Sequence, residues 1–564
     1  MSGGTGLVAA ADWVRRRPLA AAVLALAVAA WFVFPGLRGL FNPDEGRYAE
    51  IPREMLATGD WVIPRLNGLV YIEKPPLQYW ASALGEAVFG RNEWAARLYT
   101  GLCGLATVLV TVLLARRFSR VAAWRAGLML GSSLLFVLLG QQVTLDMGLT
   151  LWMTVAFAGF CAAQDAQGEN QRARRRGFML LCWAGTAAAF LTKGLVAGAL
   201  PVLALILYSL LQRDFTPWKR LQLLRGVPLF LALSLPWFVL IQHRLPQFFN
   251  FFFVREHFQR YLTHIEDRYQ PWWFFILVLL AGCLPWLLPM LRALVTGWRA
   301  TAPRGRFDTR RFAWLWCAVV LVFFSASDSK LIPYILPLFP QLALLMATLP
   351  EAPLQRDLLR TGLLLAALGV VVLAGAVVLP ALLSYVHDAA SAPLFLHIRW
   401  PLVAMGICFL GGGLLAWRAR GGVAPTAVTG AAAYAGFMCA LWAAVAVAPL
   451  YSGVTLVPQL SPDLVRAVRA GDVPVYSVGT YDQSLTFYLG HPVTVVEWRG
   501  ELDFGLSLEP GLGLPTVADF EAIWRRGPQA LAVVEPRTYT RLQADGLPMV
   551  LRASSPKHLI VSRQ

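Results

Sequence analysis

The sequence predicts a polytopic α-helical membrane protein with a C-terminal extramembrane α/β domain. Three observations support this prediction: 57% of the residues are apolar and only 14% are charged, apolar runs recur along the chain to residue 449, and short β-rich runs follow residue 450. Soluble domains carry about 25% charged residues, so the composition excludes an ordinary soluble protein. We place the division between the membrane part and the tail domain at residues 1–449 and 450–564.

The apolar runs predict about thirteen membrane-spanning helices, because a helix needs roughly 20 apolar residues to cross a bilayer. The predicted spans are 18–40, 93–115, 121–140, 145–164, 178–191, 195–211, 227–242, 272–296, 312–325, 331–349, 358–383, 401–417 and 427–447. We expect the first span to be retained as an anchor rather than cleaved as a signal peptide.

Lysine and arginine residues are concentrated in every second connection between these spans, from residues 15–17 at the N-terminus to residues 418–420 before the last span. Basic connections mark the cytoplasmic side of a membrane. The pattern therefore places the loop 41–91 and the tail domain together on the outer side of the membrane, opposite to the cytoplasm. The formal net charge of +17 mostly reflects this distribution, so it does not indicate nucleic-acid binding.

The tail domain begins near residue 451, where short β-rich runs alternate with helical stretches. The runs VPVYSV, VTVVEW, ALAVVE, MVLRA and HLIVS predict strands, and residues 462–470, 482–489 and 517–526 predict helices. The domain contains no GxGxxG, P-loop or nucleophile-elbow motif. Its function stays open between a cap over an active site and a module that docks a partner.

A polar loop of about fifty residues follows the first predicted span. It reads FNPDEGRYAEIPREML near its start and YIEKPPLQYW near its end, and the pair Asp44 and Glu45 comes directly after the apolar run. Hydrophobic chains usually join their spans by short turns. A long loop rich in ionisable groups at a membrane surface is therefore a candidate functional site.

The carboxylate pair also has an ordinary structural interpretation. Asn42 as N-cap, Pro43 at the first helical position and Glu45 in a capping box are all helix-start signals. The functional interpretation is favoured because the same loop contains other ionisable residues, above all the pair Glu73–Lys74 before two prolines. Both interpretations are compatible, because a capped helix would hold Asp44 rigidly at the membrane surface.

Four other parts of the chain bring ionisable groups to the same outer side. They are Asp146 at the start of the fourth span, Lys193 between the fifth and sixth spans, Lys330 and Tyr334 at positions i and i+4 of one predicted helical face, and the loop 244–270 with Arg255, Glu256, His257, Arg260, His264 and Arg268. Helix-terminal charges, snorkelling lysines and a lipid-headgroup patch would explain these residues without a site. A common pocket would explain them together.

Carboxylates and several cations beside lipid suit group transfer from a lipid-phosphate donor. The departing phosphate develops negative charge, which lysine, arginine or a metal must meet. The chain offers many cations and no metal-ligand spacing, so we predict no cofactor and no metal. A metal site would have to be assembled by folding from Glu73, His243, His257 and His264.

Four motifs resemble those of polytopic GT-C glycosyltransferases: FNPDEGRYAEIPREML, YIEKPPLQYW, FFVREHFQRYL and SDSKLIPYILPLFP. More narrowly, they resemble bacterial aminoarabinose transferases that act on lipid A, within the protein-mannosyltransferase-like superfamily. The resemblance covers residues 40–349 and is weak in the tail domain. It implies a similar topology, with an active site and a C-terminal α/β domain in the periplasm.

The resemblance also implies roles for individual residues. Asp44 resembles the catalytic carboxylate, Asp146 a second outer acid, and Lys74 a catalytic group that also holds the donor phosphate. Arg260 and Tyr334 resemble further phosphate-binding groups, Lys330, Arg47 and Arg255 are weaker candidates, and Glu45, Glu73, Lys193 and His257 are additional ones. The implied donor is undecaprenyl phosphate-linked aminoarabinose, and the implied acceptor is a phosphate of lipid A. The implied reaction inverts the sugar, needs no metal and confers resistance to cationic peptides such as polymyxin.

Three functions stay open from the sequence. The first is aminoarabinose transfer to lipid A. The second is another transfer from a polyprenyl-phosphate sugar, with a different sugar or a protein acceptor. The third is transport of anionic lipids. Two features of the sequence argue against it: the helices show no internal repeat, and the charged residues are grouped at one membrane face, whereas a transport path needs them within the membrane. The role of Asp44 is open between general base, orientation of the acceptor and pairing with the sugar amine.

Overall fold

The computed structural model describes residues 18–166, 168–259, 269–299, 306–383 and 392–563. Its α-helices are α1 Pro18–Val33, α2 Asp44–Thr58, α3 Leu77–Phe89, α4 Glu93–Ala115, α5 Arg120–Gly131, α6 Leu134–Leu139, α7 Leu145–Asp165, α8 Arg172–Lys193, α9 Val196–Gln212, α10 Thr216–Lys219, α11 Leu223–Arg244, α12 Phe274–Gly282, α13 Leu287–Thr296, α14 Thr309–Ala326, α15 Phe339–Ala347, α16 Glu351–Leu383, α17 Ala392–His397, α18 Arg399–Arg418, α19 Ala424–Tyr451, α20 Pro462–Ala470, α21 Gln483–Leu489, α22 Asp503–Leu508, α23 Val517–Arg526 and α24 Pro536–Ala544. Its strands are β1 Arg65–Leu66, β2 Leu69–Val70, β3 Val475–Val478, β4 Thr494–Val496, β5 Gly513–Leu514, β6 Leu531–Val534, β7 Val550–Ser554 and β8 Leu559–Ser562.

Eight helical stretches of the described chain are long and apolar enough to cross a membrane. They are Pro18–Gly36, Glu93–Ala115, Leu145–Asp165, Leu223–Arg244, Thr309–Ala326, Glu351–Leu383, Ala392–Arg418 and Ala424–Tyr451. The chain is therefore a multi-pass membrane protein, as its apolar runs predict. The other predicted spans fall on helices that are shorter, interrupted or richer in charge, so the count of thirteen stays a prediction.

Two predicted spans are interrupted, and the prediction of continuous helices is wrong there. The span 121–140 divides into α5 and α6, and the backbone N–H of Leu134 donates to the carbonyl oxygen of Leu284 (3.0 Å) instead of to the preceding turn. The span 272–296 divides into α12 and α13 around Pro285, which has no N–H to continue the helical hydrogen bonds. The first break therefore depends on a contact with a distant residue and the second on a proline, and a hydropathy profile detects neither.

Two further predicted spans differ at their ends. The span 331–349 begins with a 3₁₀-helix at Ile332–Leu338, which contains Pro333 and Pro337, and only then continues as α15. The first span, predicted to reach residue 40, ends as a helix at Val33 and closes with one 3₁₀ turn. In both places proline restricts the backbone, so regular α-helix cannot run through the whole apolar segment.

The membrane part is packed around α7, because 78% of the apolar window of this helix is buried. The ring of Phe157 stacks on Phe312 with centroids 5.1 Å apart and meets Trp316 edge-on at 5.3 Å, which fixes α7 against α14. Lipid is as apolar as these rings. The contacts therefore stabilise the bundle by close packing rather than by removal from water.

The tail domain is built on one six-stranded sheet with the order β5-β4-β3-β6-β8-β7. The strands β5, β4, β3 and β6 are parallel, and β8 and β7 add an antiparallel edge. Helices α20, α21 and α23 fall where the sequence predicts them, and the β-rich runs form β3, β4, β6, β7 and β8. The predicted division at residues 449 and 450 lies within the last turn of α19 and stays a prediction.

The tail domain contacts the polar loop directly. Asn67 exchanges two hydrogen bonds of 2.7 Å with the backbone of Val493, and Arg65 pairs with Glu509 at 3.0 Å. A side chain on Gly46 would collide with the backbone of Ser484, so α2 can lie this close only with glycine at that position. The loop 41–91 is therefore enclosed between the membrane helices and the tail domain.

The helix-start interpretation of the carboxylate pair is wrong in its details. The side-chain Nδ2 of Asn42 donates to the carboxylate of Asp482 (2.7 Å), and its side-chain Oδ1 accepts the backbone N–H of Ser484 (2.8 Å), so Asn42 anchors the tail domain instead of capping α2. The carboxylate of Glu45 accepts the backbone N–H of Phe41 (3.0 Å) instead of that of Asn42. No capping box forms, because tertiary partners satisfy both side chains.

Glu45 is held in a buried network of two arginines. Its carboxylate accepts hydrogen bonds from Arg38 (2.6 Å) and from Arg97 (2.8 and 2.9 Å), and also from the backbone N–H of Val143 (3.1 Å). Burial raises the pKa of Glu45, but Arg38 and Arg97 outweigh it and lower the pKa to about 2. The contacts of Glu45 are therefore structural, and they join the loop to α4 and to the start of α7.

A second buried carboxyl in the loop, Glu86, lacks such partners. Glu86 is 3% exposed, and neither carboxylate oxygen has a hydrogen-bond partner among the described residues. Burial, followed by the charge of Glu50, raises the pKa of Glu86 to about 8. The protonated Glu86 carboxyl therefore contributes to folding stability. This contribution is fully present below the pKa that Glu86 has in the unfolded chain, and it is lost as the pH rises through the pKa that Glu86 has in the folded protein.

The variant Glu86→Gln is therefore expected to match the wild type in Tm near about pH 4 and to exceed it by several degrees above about pH 8. The physical reason is that glutamine does not ionise, whereas the wild type must either hold a proton or bury a charge. Thermal unfolding in detergent across this pH range measures the difference. Glu169→Gln, at an exposed site, is the control, and an identical pH profile for both variants would contradict the prediction.

Candidate active site

A cavity of about 1030 Å³ lies inside the membrane part, between α7, α8, α9 and α14. Most of its lining is apolar, including Trp183, Phe190, Val202, Phe312 and Trp316. It reaches from Phe324 in the last turn of α14 to Phe312 in the first turn, a distance of about 18 Å along a helix. The cavity therefore runs through much of the membrane and suits a long apolar chain.

The lysine, carboxylate and tyrosine side chains that line this cavity are Lys74, Lys193, Glu256 and Tyr334. The Nζ of Lys74 lies 3.3 Å from Oε2 of Glu256 and donates to the backbone oxygen of Glu73 at 2.9 Å. The Nζ of Lys193 lies 4.4 Å from the ring centroid of Tyr334. Residues distant in the sequence thus place two ammonium groups over an apolar cavity.

Lys193 and Asp146 are held at helix ends that suit their charges. Lys193 is the last residue of α8, where the chain turns at Gly194 with a positive φ of 74°, and Asp146 lies in the first turn of α7. A cation at a C-terminus and an anion at an N-terminus both complement the helix dipoles. The two side chains form a largely buried ion pair, so Asp146 fixes the ammonium group of Lys193 at the cavity.

Asp44 belongs to a second cluster, at the junction of the loop and the tail domain. Nη2 of Arg47 lies 3.5 Å from Asp44 and 2.9 Å from Oε2 of Glu501, and Nη1 donates to the hydroxyl of Tyr71 at 2.9 Å. Gln483 donates to the other oxygen of Glu501 at 2.8 Å. The Asp44 side chain is 46% exposed while Arg47 is buried, so Asp44 is the accessible carboxylate of this cluster.

The segment from Tyr71 to Lys74 connects the two clusters. Burial raises the pKa of Tyr71, and the charge of Glu73 raises it further against the opposing charge of Arg47. Burial also raises the pKa of Glu501, with smaller contributions in the same direction from Glu73 and Asp44. The charge of Glu73 therefore acts on the second cluster, while the next residue in the chain lines the cavity.

The structure brings some predicted residues together and separates others. Lys74, Lys193 and Tyr334 line the cavity, Asp146 pairs with Lys193, and Arg47 accompanies Asp44. Arg255 is exposed and lies 5.3 Å from the ring of Phe251, outside the lining of the cavity. Glu45 belongs to the buried network with Arg38 and Arg97.

The predicted helical face of Lys330 and Tyr334 is wrong. Leu331 is extended, with φ of −128°, and the 3₁₀-helix begins only at Ile332, so the two side chains are not one α-helical turn apart. Lys330 donates instead to the backbone oxygens of Gln270 (2.8 Å) and Ser327. Of the pair, Tyr334 alone lines the cavity.

Several predicted residues lie wholly or partly outside the described part of the chain. Arg260 and His264 are outside it, and for His257 only the backbone, within the π-helix Asn250–Gln259, is described. His243 is exposed at the end of α11. Among the described residues, no group of three histidine, cysteine, aspartate or glutamate side chains could hold a metal ion.

Two carboxylates of the clusters, Glu256 and Glu501, had no individual role assigned to them from the sequence. Glu256, which pairs with Lys74, lies between Arg255 and His257, which were candidate site residues, so the REH run already indicated a site at this position. Glu501, which pairs with Arg47, lies in the tail domain, where no motif marks it. Only the contact between tail domain and loop brings it to Asp44.

Comparisons with known proteins show which family the chain is similar to. Residues 462–563 match the aminoarabinose transferase C-terminal domain, and residues 22–252 match the dolichyl-phosphate-mannose-protein mannosyltransferase family. A relative from Shewanella sediminis, an undecaprenyl phosphate-alpha-4-amino-4-deoxy-L-arabinose arabinosyl transferase, is 36% identical over 55% of this chain and 56% of its own length. A relative of the same name from Pseudomonas aeruginosa (strain UCBPP-PA14) is 33% identical over 83% of both chains.

A solved structure extends the likeness over nearly the whole chain. The crystal structure of ArnT from Cupriavidus metallidurans bound to undecaprenyl phosphate is similar with a TM-score of 0.87 and 35% identity, covering 97% of this chain and 98% of that one. The predicted fold class is confirmed: the protein is a polytopic membrane glycosyltransferase of the GT-C type with a C-terminal α/β domain. The chain belongs to the family of undecaprenyl phosphate-aminoarabinose arabinosyl transferases.

Proposed function

We propose that this protein transfers aminoarabinose from undecaprenyl phosphate to a phosphate of lipid A. The observation that carries the proposal is the cavity of about 1030 Å³, with apolar walls along the membrane and two lysines among its ionisable groups. A polyprenyl chain suits the apolar part, and a phosphate suits the lysines. The similar ArnT structure holds undecaprenyl phosphate, which supports the same carrier for this chain.

The carrier phosphate is proposed to bind at Lys74 and Lys193. In the described structure each lysine is paired with a carboxylate, Lys74 with Glu256 and Lys193 with Asp146. A phosphate would compete with Glu256 for Lys74, whose ion pair is the longer of the two. Arg260 is proposed for the same role by family resemblance and lies outside the described residues.

The proposed reaction is a single displacement at the anomeric carbon of the sugar. The bond between this carbon and the carrier phosphate oxygen breaks, and its electron pair stays on that oxygen, whose charge the lysines stabilise. An oxygen of the acceptor phosphate attacks from the opposite face, so the configuration inverts. Cationic side chains are proposed to meet the phosphate charge without a metal.

Asp44 is proposed to act on the acceptor side. Its carboxylate is the exposed member of the cluster, whereas Arg47 and Glu501 are engaged with each other. A lipid A phosphate is already largely ionised near neutral pH, so it needs a general base less than a hydroxyl acceptor does. Orientation of the acceptor and pairing with the sugar amine are therefore proposed for Asp44 beside proton removal.

The reaction is proposed to take place on the periplasmic side of a bacterial inner membrane and to confer resistance to cationic peptides such as polymyxin. The distribution of lysine and arginine supports this orientation, because the clusters lie on the side opposite to the basic connections. An amino sugar on a lipid A phosphate lowers the negative charge of the cell surface. Binding of cationic peptides would weaken for that reason.

The variant Gly198→Phe tests the cavity as the donor site. Gly198 lines the cavity, and a Cβ added there meets no atom within 4 Å, so a larger side chain enters the empty space. The KM for a long polyprenyl donor is expected to rise by about tenfold or more. A donor with a much shorter prenyl chain should be affected less, because it leaves the apolar end unoccupied. Initial rates in detergent measure both.

The matched control is Gly375→Phe, since Gly375 lies in the spanning helix α16, also has open space at its Cβ and does not line the cavity. Equal KM values for Gly198→Phe and wild type at every prenyl length would contradict the donor assignment. The same assay separates transfer from lipid transport, because detergent solution has no second compartment. A donor that stays intact in detergent would favour a transporter.

A further inference from the structure

A second cavity, of about 340 Å³, lies at the membrane face opposite to the loop 41–91. Its position follows from α4, which starts after the loop, crosses the membrane and ends at Ala115, three residues before Phe118 in the cavity wall. The polar and charged lining residues are Ser119, Arg125, Arg310, Thr348 and Glu351. It is therefore separated by the thickness of the bilayer from the cluster that contains Asp44.

Two guanidinium groups of this cavity have donors that the protein does not use. Arg125 is 2% exposed and donates two hydrogen bonds of 2.7 Å to Glu351, yet its Nε is buried and has no hydrogen-bond partner. Within the described chain, Arg310 forms no hydrogen bond, and its Nε is also buried. Asp308 acts on Arg310 through its charge, and its carboxylate caps α14 by accepting the backbone N–H of Arg311 (3.0 Å).

The charges of the lining leave one cation unmatched. Glu351 is neutralised by its bidentate pair with Arg125, and Gln355 donates to it as well at 2.7 Å. Arg310 then remains as the positive charge of the wall. A buried or half-buried guanidinium without a partner is costly, and an anion in the cavity would satisfy it.

Helix termini add to the positive potential. The helices α5, α14 and α16 begin at Arg120, Thr309 and Glu351, and each places a residue of its first turn or its N-cap in the cavity wall. The N-termini of helices carry partial positive charge and bind phosphate groups. The unpaired guanidinium donors and these termini point independently to the same kind of ligand.

We infer that this cavity binds a phosphate group, either that of an anionic lipid headgroup or free inorganic phosphate. Arg310 is its principal ligand, with Nε of Arg125 as a second donor. The exposed apolar side chains of Phe118 and Val121 line the same cavity, so the glycerol and acyl chains of a lipid could leave it along these residues into the bilayer. The site is a binding site only and is not proposed to take part in sugar transfer.

The test uses the full-length protein in detergent at constant ionic strength. The Tm is recorded while phosphatidylglycerol or sodium phosphate is added, because a ligand that binds the folded state raises Tm with its concentration. A rise in Tm with phosphatidylglycerol alone assigns the site to a lipid headgroup, and a rise with inorganic phosphate as well assigns it to the free anion. Arg310→Gln is expected to weaken the apparent affinity by about tenfold or more.

Arg311→Gln is the matched control, since it removes the same charge one residue further along α14 but does not line the cavity. Arg310→Lys keeps the charge and loses the guanidinium fork, so it is expected to fold and to bind severalfold more weakly than wild type. No rise in Tm with either probe, or equal losses for Arg310→Gln and Arg311→Gln, would overturn the inference.

Discussion

Asp44→Asn is expected to lower the turnover number of sugar transfer by about 100- to 10,000-fold, with little change in the KM for the donor. The substitution keeps the size of the side chain and its place at the start of α2, but removes the negative charge. Proton removal and pairing with the sugar amine both require that charge. The donor phosphate is proposed to bind at Lys74 and Lys193 instead, so donor binding should survive. Steady-state kinetics in reconstituted liposomes separate the two parameters.

The matched control is Asp503→Asn, an exposed carboxylate on the same side of the membrane, which pairs with the exposed Arg499 at 3.1 Å. Its turnover number is expected to equal that of the wild type, because exposed ion pairs contribute little. Full activity of Asp44→Asn would refute both the base and the amine-pairing role. A loss shared equally by both variants would point to a general effect of charge on the assay.

Arg97→Met is expected to destabilise the protein by about 3–5 kcal/mol, because it leaves the buried carboxylate of Glu45 with one arginine instead of two. Arg97 is 1% exposed and donates to both oxygens of Glu45 as well as to backbone carbonyl oxygens, including that of Gly39 at 2.9 Å. Methionine fills a similar volume and cannot replace these hydrogen bonds. Thermal or denaturant unfolding in detergent measures the loss.

Arg117→Met provides the comparison, since Arg117 forms a partly exposed ion pair with Asp165 on the other side of the membrane. Such pairs contribute about 0–1 kcal/mol. An unfolding midpoint of Arg97→Met equal to that of Arg117→Met would mean that the network around Glu45 contributes little. Activity should fall together with stability in Arg97→Met, because Glu45 adjoins Asp44 in the first turn of α2.

Much of the architecture is predictable from the sequence, because length and hydropathy decide which segments can cross a bilayer. The interruptions of the helices are not. The break between α5 and α6 depends on a hydrogen bond from Leu134 to Leu284, more than a hundred residues away. A proline such as Pro285 suggests a kink, but the sequence alone does not reveal whether the helix bends or ends there.

The cavity residues are predictable for a similar reason. Lys193 and Tyr334 line the cavity and Asp146 pairs with Lys193; these polar side chains stand at the outer ends of apolar segments, where charge is costly and usually functional, and Lys74 stands in the polar loop beside them. Their pairing is not predictable from the sequence. Lys193 pairs with Asp146 rather than with another acid because α7 packs against α8.

The errors at the start of the loop have a physical cause. Asn42 and Glu45 carry strong local capping signals, and local signals compete with tertiary partners. Here Asp482 and Ser484 of the tail domain bind Asn42, and two arginines bind Glu45. The sequence of the loop contains no trace of partners that lie in a different domain, so the role of the tail domain at this junction could be found only in the folded chain.

The central claim, transfer of aminoarabinose from undecaprenyl phosphate to lipid A, is tested most directly by mass spectrometry of lipid A. Liposomes that contain the donor and lipid A are incubated with the wild-type protein or with Asp44→Asn. The proposal predicts that the wild type adds one pentosamine to a lipid A phosphate and that Asp44→Asn adds very little in the same time. Lipid A that stays unmodified while the donor is consumed by another acceptor, or is not consumed at all, would contradict it.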